Sequence, residues 1–157
     1  MVIGFTKSHK SSHICGLNMM GLDEILGHFK ATNHVVLASV ERDQPRLRPI
    51  TLVNHGDRFF FATRTSDNKV QQLSENPKIE LILMWQESPN NGYIRVEGKA
   101  VKLQETGLIQ ELYAGNDFMG KLWSGPEDPN LTIYEVKPSV YDYLRPGEWS
   151  TLRLKVK

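Results

Sequence analysis

Residues 46–69 read RLRPITLVNHGDRFFFATRTSDNK, and this stretch decides the fold that the sequence predicts. Side chains alternate along residues 46–53, and an aromatic run follows at 58–62, so both segments are predicted to be strands. Between them, His55-Gly56-Asp57 supplies turn chemistry, since glycine tolerates positive φ and aspartate bonds its own backbone. The stretch therefore predicts a strand, a tight turn, a second strand, and then a polar loop that opens a helix.

The polar loop after the aromatic strand predicts an anion site. Hydroxyl and guanidinium groups stand just before the helix, on Thr63, Arg64, Thr65 and Ser66. Hydroxyls and free main-chain N–H groups at a helix start form a natural site for an anion. Lys69 adds a point charge one turn into the helix, and Arg48 adds a two-pronged donor from the first strand. Asp67 would oppose an anion there unless it caps the helix. The hypothesis is a phosphate-binding site at this end of the hairpin.

The composition narrows the class of protein. A chain of 157 residues with 39% hydrophobic and 24% charged residues predicts one folded domain and excludes the disordered and fibrous classes. The net charge of +1 gives no general attraction to nucleic acid or to anionic lipid. No apolar run approaches the roughly 18 residues of a membrane helix. Cys15 is the only cysteine, so no internal disulfide forms and a cytoplasmic location is expected.

The N-terminal residues 1–18 show no sustained periodicity and are predicted to be a flexible tail, with residues 19–157 forming the domain. His9 and His13 stand four residues apart, a spacing that metal sites use. Two solvated histidines in a mobile tail are the favoured interpretation, and no metal site is predicted.

The remaining elements predict an antiparallel barrel. Further strands are expected at 34–40, 78–85, 93–103, 131–144 and 149–156, and further helices at about 21–30 and 105–113. Residues 131–144 read as two strands or as one strand broken at Pro138, and Gly98 reads as a bulge. Residues 115–130 are predicted to be a long loop. Six to seven strands with short connections and two or three peripheral helices indicate a mainly β (α+β) barrel, since a parallel sheet needs a helix after most strands.

Several short motifs recur in a recognisable order. They are Leu22 to Leu26, Gln44-Pro45-x-x-Arg48, Thr63 followed by Lys69, Asn76-Pro77, and Gly98-Lys99-Ala100. From about Met20 to Tyr143 the chain resembles the FMN-binding split β-barrel proteins related to pyridoxamine 5′-phosphate oxidase. Its closer likeness is to the short general-stress and flavin-reductase-like members. The resemblance implies a split barrel, a homodimer, and two non-covalent FMN sites at the subunit interface.

The resemblance also assigns roles by position. Arg48 matches the arginine that holds the FMN phosphate, Pro49 to Thr51 match the segment facing the flavin ring, and Ala62 to Arg64 match the turn near the ribityl phosphate. Trp85 and Tyr93 are candidates for the open face of the flavin, as are Trp123 and Tyr143. The predicted cofactor-binding set is Arg46, Arg48, Pro49, Ile50, Thr51, Ala62, Thr63, Arg64, Thr65, Ser66, Asn68, Lys69, Trp85 and Tyr93.

The chain departs from the oxidases at several positions. Asn68 stands where they usually carry an arginine before Lys69, Tyr93 where they place a glutamine of the partner subunit, and Val53 where they keep a substrate-binding lysine. The long C-terminal substrate clamp is also missing, so pyridoxine phosphate oxidase activity is not expected.

The chemistry expected from the resemblance is electron transfer through the flavin, from NAD(P)H or another small-molecule donor to a small-molecule acceptor. No side chain is predicted to be catalytic. Related barrels bind a deazaflavin or haem, although no histidine follows His55 to serve as a C-terminal haem ligand. A non-catalytic flavin-binding regulator is the remaining alternative, and the departures at Asn68 and Tyr93 suit it.

Overall fold

The computed structural model describes residues 10–156, and it describes the side chains of residues 19–156. Within these residues, seven strands form one antiparallel sheet: β1 Thr32–Glu41, β2 Gln44–His55, β3 Arg58–Arg64, β4 Lys78–Glu87, β5 Asn90–Lys102, β6 Leu131–Leu144 and β7 Leu152–Lys155. Four helices accompany them: α1 Lys10–Gly27, α2 Asn68–Glu75, α3 Thr106–Ala114 and α4 Asp117–Leu122. The predicted fold class, a mainly β antiparallel split barrel, is confirmed.

The sheet closes on itself but is poorly paired at two places. The strand order is β3-β2-β1-β4-β5-β6-β7, and β3 also pairs with β6. β1 registers with β4 only at Val36–Ala38, and β2 registers with β3 only at Val53–His55. The first part of β2, residues 44–52, therefore has β1 on one side and an open edge on the other.

The aromatic strand β3 is buried on both faces. Phe59 and Phe61 pack inside the barrel, while Phe60 joins a second apolar cluster with Leu112 and Met119 of α3 and α4. All three phenylalanines are at most 1% exposed. A strand covered on both sides reads as an unbroken apolar run, which explains why the sequence is aromatic at three successive positions.

Two glycines have the roles that the sequence predicts. Gly56 and Asp57, at the turn between β2 and β3, both have φ of 60°, a conformation that glycine adopts without strain. Gly98 lies at a register shift in β5, where a Cβ atom would collide with the main-chain carbonyl of Lys137. The predicted turn and the predicted bulge are both confirmed.

Three predictions about elements need correction. The helix expected at about 21–30 begins at Lys10 and ends at Gly27. The expected loop 115–130 contains α4, so two or three helices is too few; a six-residue helix is too short to show a period, and it forms because Met119 is buried against Phe60. β6 passes through Pro138 as one strand.

Some predictions fall where the structure says little. His9 lies outside the described residues, as does the side chain of His13, and the flexible tail stays a prediction. In the described part of the chain, no group of three His, Cys, Asp or Glu side chains could hold a metal ion. No helix there is both long enough and apolar enough to cross a membrane.

Candidate functional site

The open edge of β2, the end of β3 and the start of α2 border a groove, here called the β2 groove, with a polar lobe and an apolar lobe. The polar lobe has a volume of about 600 Å³, and the predicted residues that line it are Arg46, Arg48, Ser66, Asn68 and Lys69. The apolar lobe has a volume of about 310 Å³, and its predicted residues are Pro49, Ile50, Thr51, Ala62, Thr63 and Arg64. Lys69 and Asp67 line both lobes.

Arg48 is held in the polar lobe by neutral partners. Its two terminal nitrogens donate to the Ser39 hydroxyl at 2.6 Å and to Oε1 of Gln72 at 2.7 Å. The Ser39 hydroxyl donates to the same Gln72 oxygen at 2.7 Å. Among the ion pairs of the described residues, none includes Arg48. Burial, and secondly the charge of Arg46, lower the pKa of Arg48. A guanidinium stays protonated in a protein, so the lobe contains an uncompensated positive charge.

Lys69 and Arg46 are paired with carboxylates. The Lys69 ammonium donates to Asp67 and to the Thr63 hydroxyl, both at 2.8 Å, and its side chain is only 17% exposed. Arg46 contacts Glu41 at 2.6 Å. The polar lobe thus contains three cations and two carboxylates, which leaves one positive charge, on Arg48.

Asp67 occupies the N-cap position of α2 but makes no side-chain cap bond. Its carboxylate accepts hydrogen bonds from Lys69 and Thr63, and these bonds lower the pKa of Asp67. The main-chain N–H groups of the first turn are therefore not occupied by this carboxylate, and Asp67 faces the groove as an anion.

The apolar lobe is completed by residues that the sequence does not indicate as a set. Phe118 and Leu122 of α4, with Trp123 directly after it, lie opposite Pro49–Thr51. The Trp123 indole N–H donates to the carbonyl of Asn130 at 3.0 Å, which fixes the ring in place. Leu122 is 55% exposed, so part of the wall is uncovered apolar surface. This lobe can accept a flat, apolar group.

Three predicted residues do not line the groove. The Thr65 hydroxyl contacts the Pro129 carbonyl at 2.9 Å and the Thr132 hydroxyl at 2.9 Å, so it fastens the chain to β6. Trp85 and Tyr93 border a separate hollow on β4 and β5.

Sequence reasoning missed the two residues that hold Arg48. Ser39 is one polar residue in an apolar strand, and Gln72 stands three residues after Lys69, on the same side of α2. Both are at most 5% exposed. A polar residue inside an apolar run is a weak signal of a buried partner, because buried polar groups are generally hydrogen-bonded.

Comparison with known proteins gives a family match over most of the chain. The family model described as Pyridoxamine 5'-phosphate oxidase matches residues 22–145. General stress protein 26 of Bacillus subtilis (strain 168) is 25% identical over 134 residues, which are 85% of this chain and 92% of that protein. Pyridoxine/pyridoxamine 5'-phosphate oxidase of Ehrlichia ruminantium (strain Welgevonden) is 33% identical over 79 residues, 48% of this chain and 40% of that protein.

Solved structures share the fold. General Stress Protein 26 from Bacillus anthracis str. Sterne superposes with a TM-score of 0.70 at 22% identity and covers 85% of this chain and 97% of that one. The fold also occurs in a heme binding protein from Mycobacterium smegmatis, with a TM-score of 0.67, 10% identity, and coverage of 80% of this chain and 53% of that one. An F420 reductase has a TM-score of 0.53 at 20% identity, over 69% of this chain and 88% of that one. These likenesses show the fold alone, so the cofactor has to be argued from the groove.

Proposed function

The chain belongs to the pyridoxamine 5'-phosphate oxidase family, and from that premise we propose that it is an FMN-dependent oxidoreductase whose non-covalent flavin lies in the β2 groove. The phosphate of the cofactor would be held in the polar lobe by Arg48 and Lys69. The ring would lie against the apolar lobe, beside Pro49–Thr51 of the open β2 edge.

The observation that carries this proposal is the guanidinium of Arg48. A partly buried cation without a carboxylate partner is costly, and an arriving anion removes that cost. Ser39 and Gln72 fix the guanidinium through two of its nitrogens, so it is oriented before the ligand arrives. Phosphate suits this fork-shaped donor because its oxygens accept two parallel N–H bonds.

The open edge of β2 supports the other half of the proposal. Main-chain N–H and C=O groups are obligatory hydrogen-bonding groups, and β3 leaves those of residues 44–52 unpaired on one side. They border the same lobe as Phe118 and Leu122. A flavin ring has an apolar end and a polar edge, which match the side chains and the strand edge respectively.

A bound flavin supplies the redox chemistry, since it accepts a hydride and passes electrons on, while the protein binds and orients it. Arg48 and Lys69 anchor the charged end, and the α4 side chains exclude water from one side of the lobe. No titratable side chain of the groove is needed as an acid or base, so no catalytic residue is proposed. NAD(P)H is the proposed donor.

A homodimer belongs to this proposal. Trp85 and Tyr93 lie outside the groove of their own chain, so they can contact the flavin only if a second copy presents them. Leu47, beside the polar lobe, is 72% exposed, which gives the open edge an uncovered apolar side chain. Light scattering of the purified protein should give about twice the 17.9 kDa mass of one chain. A monomeric mass with full flavin occupancy would remove Trp85 and Tyr93 from the site.

A non-catalytic flavin-binding protein is the second candidate. The pairing of Lys69 with Asp67 favours it, because it lowers the positive charge available to an anionic cofactor or substrate. Steady oxidation of NAD(P)H with an added quinone or nitro compound separates the enzyme from the binder. A flavin-loaded protein that is not reduced by NAD(P)H or by another donor would favour the binder.

The proposal is tested by the absorption spectrum of the purified protein, before and after addition of FMN and after heat release of the ligand. We expect flavin bands near roughly 375 and 450 nm, with the chromophore released on denaturation. A double variant, Arg48→Ala with Lys69→Ala, should lose the bands. The matched control, Lys30→Ala with Lys155→Ala, removes two exposed charges elsewhere and should keep them. A colourless protein that stays colourless with FMN would contradict the proposal.

A further inference from the structure

Asp67 stands where it hinders the anion site. Its carboxylate accepts from the Lys69 ammonium at 2.8 Å and also from the Thr63 hydroxyl. A capping aspartate would instead accept from N–H groups in the first turn of α2, and this bond is absent from the structure of the described residues. The second basic residue of the groove is thus already neutralised before any ligand binds.

The charge of the polar lobe is lower than a phosphate monoester requires. Arg46, Arg48 and Lys69 against Glu41 and Asp67 leave a net charge of +1. A phosphate monoester carries roughly −1.5 to −2 at neutral pH. Without the charge of Asp67 the lobe would carry +2, close to the charge of the dianion.

The position of Asp67 brings it close to any anion that bridges the two cations. Asp67 and Lys69 line both lobes, and Arg48 lines the polar one. An anion that contacts Lys69 therefore lies near the Asp67 carboxylate, and like charges at this distance oppose each other. The other charged groups on the rim are Glu41, Arg46 and Arg64.

We propose, on the basis of the function proposed above, that Asp67 determines how strongly the groove selects phosphorylated over unphosphorylated flavin. Asp67 is an internal counter-anion that competes with the ligand phosphate for Lys69. The selectivity for FMN then depends mainly on Arg48, and the cofactor binds more weakly than two free cations would allow. A flavin held in this way exchanges readily with the solution.

The test is Asp67→Asn, which removes the charge and keeps an oxygen that accepts from Lys69 and Thr63. Fluorescence titrations with FMN and with riboflavin give two dissociation constants for each protein, and their ratio is the readout. FMN should bind about tenfold more tightly to the variant, as expected for removing one unit charge near the phosphate. Riboflavin affinity should change less than about twofold, since riboflavin has no phosphate. Asp23→Asn, which removes an exposed carboxylate from α1, should change neither constant.

An unchanged or weaker FMN affinity in Asp67→Asn, with FMN bound by the wild-type protein, would overturn this inference. If the wild-type protein binds neither flavin, the proposed function fails, and titration calorimetry with inorganic pyrophosphate decides the role of Asp67 separately. Tighter pyrophosphate binding in Asp67→Asn than in wild type and Asp23→Asn would support the role. Equal binding, or no binding to any of the three, would overturn it.

Discussion

Two arginines show how differently the two ends of this barrel are built. At the α1–β6 corner, formed by Glu24, His28, Tyr143 and Arg145, the Arg145 guanidinium donates to both oxygens of Glu24, at 2.7 and 2.6 Å. In the β2 groove, Arg48 is held by neutral oxygens only. The corner is complete without a ligand, whereas the groove has a fixed cation without an anion.

The difference separates charges that maintain the fold from charges that await a ligand. At the corner, the Tyr143 hydroxyl lies 2.7 Å from His28 Nε2 and 3.2 Å from Glu24, and Trp85 stacks on His28 with ring centroids 4.3 Å apart. These contacts tie α1 to the barrel. Arg48 ties together only Ser39 and Gln72, which are already bonded to each other. Its replacement should therefore affect binding and leave stability nearly unchanged.

The largest expected effect is on stabilisation by FMN. At an FMN concentration of 100 times the dissociation constant, the wild-type free energy of unfolding should rise by ~2.7 kcal/mol. At the same concentration, Arg48→Met should gain less than about 0.5 kcal/mol, because the phosphate loses its oriented donor. Arg145→Gln should keep the full gain. Denaturant titrations with and without FMN measure all three, and a full gain in Arg48→Met would end the distinction between the two arginines.

The next effect concerns the hydroxyl at the corner. Tyr143→Phe should lower the free energy of unfolding by about 1–2 kcal/mol, because His28 and Glu24 each lose a buried partner. Tyr93→Phe is the matched control and should change it by less than about 0.5 kcal/mol, since no hydrogen bond of the Tyr93 hydroxyl is seen in the described residues. Equal losses in both variants, measured by urea denaturation, would show that the corner is not a structural centre.

The corner should also respond to alkaline pH. Burial, and secondly the Glu24 carboxylate, raise the pKa of Tyr143 from 10.0 to about 12. The unfolded chain therefore loses this proton first, so the contribution is fully present below pH 10 and is lost as the pH rises from 10 to about 12. The stability difference between wild type and Tyr143→Phe should narrow across that range. A difference that stays constant in pH-resolved denaturation would contradict this assignment.

The smallest effects come from the two arginines in the ligand-free protein. Arg145→Gln should cost about 0.5–1 kcal/mol of unfolding free energy, because the pair is partly exposed to solvent. Arg48→Met should stay within about 0.5 kcal/mol, since the aliphatic stem is kept and no carboxylate loses its partner. Thermal and urea denaturation of both variants provide the comparison. A greater loss in Arg48→Met than in Arg145→Gln would make Arg48 a structural residue.

The sequence predicts the barrel well because its signals are local. Alternation in β1 and β2, the turn at Gly56 and the bulge at Gly98 each depend on a few adjacent residues. α4 escapes prediction because its six residues form a helix only when Met119 and Trp123 are buried against β3 and its neighbours. The bounds of α1 differ for a similar reason, since helix ends depend on contacts such as that of Gly21 with Leu154.

The candidate site is predictable in outline only. The basic residues and β2 strand residues come from one contiguous stretch, so eleven of the fourteen predicted residues meet in the groove. The hydrogen bonds of Thr65 run to residues more than sixty positions later, which no local pattern reveals. The partners of Arg48 and the pairing of Lys69 with Asp67 also depend on side-chain geometry, and that geometry determines which charge stays available.

The most direct test of the account is the ratio of riboflavin to FMN dissociation constants in wild type, Arg48→Met and Arg145→Gln. The claim is that Arg48 is the free charge reserved for the ligand phosphate. The wild type and Arg145→Gln should prefer FMN by about a hundredfold, and Arg48→Met should bind the two flavins with affinities within about threefold of each other. An undiminished preference for FMN in Arg48→Met, or its loss in Arg145→Gln, would contradict the account.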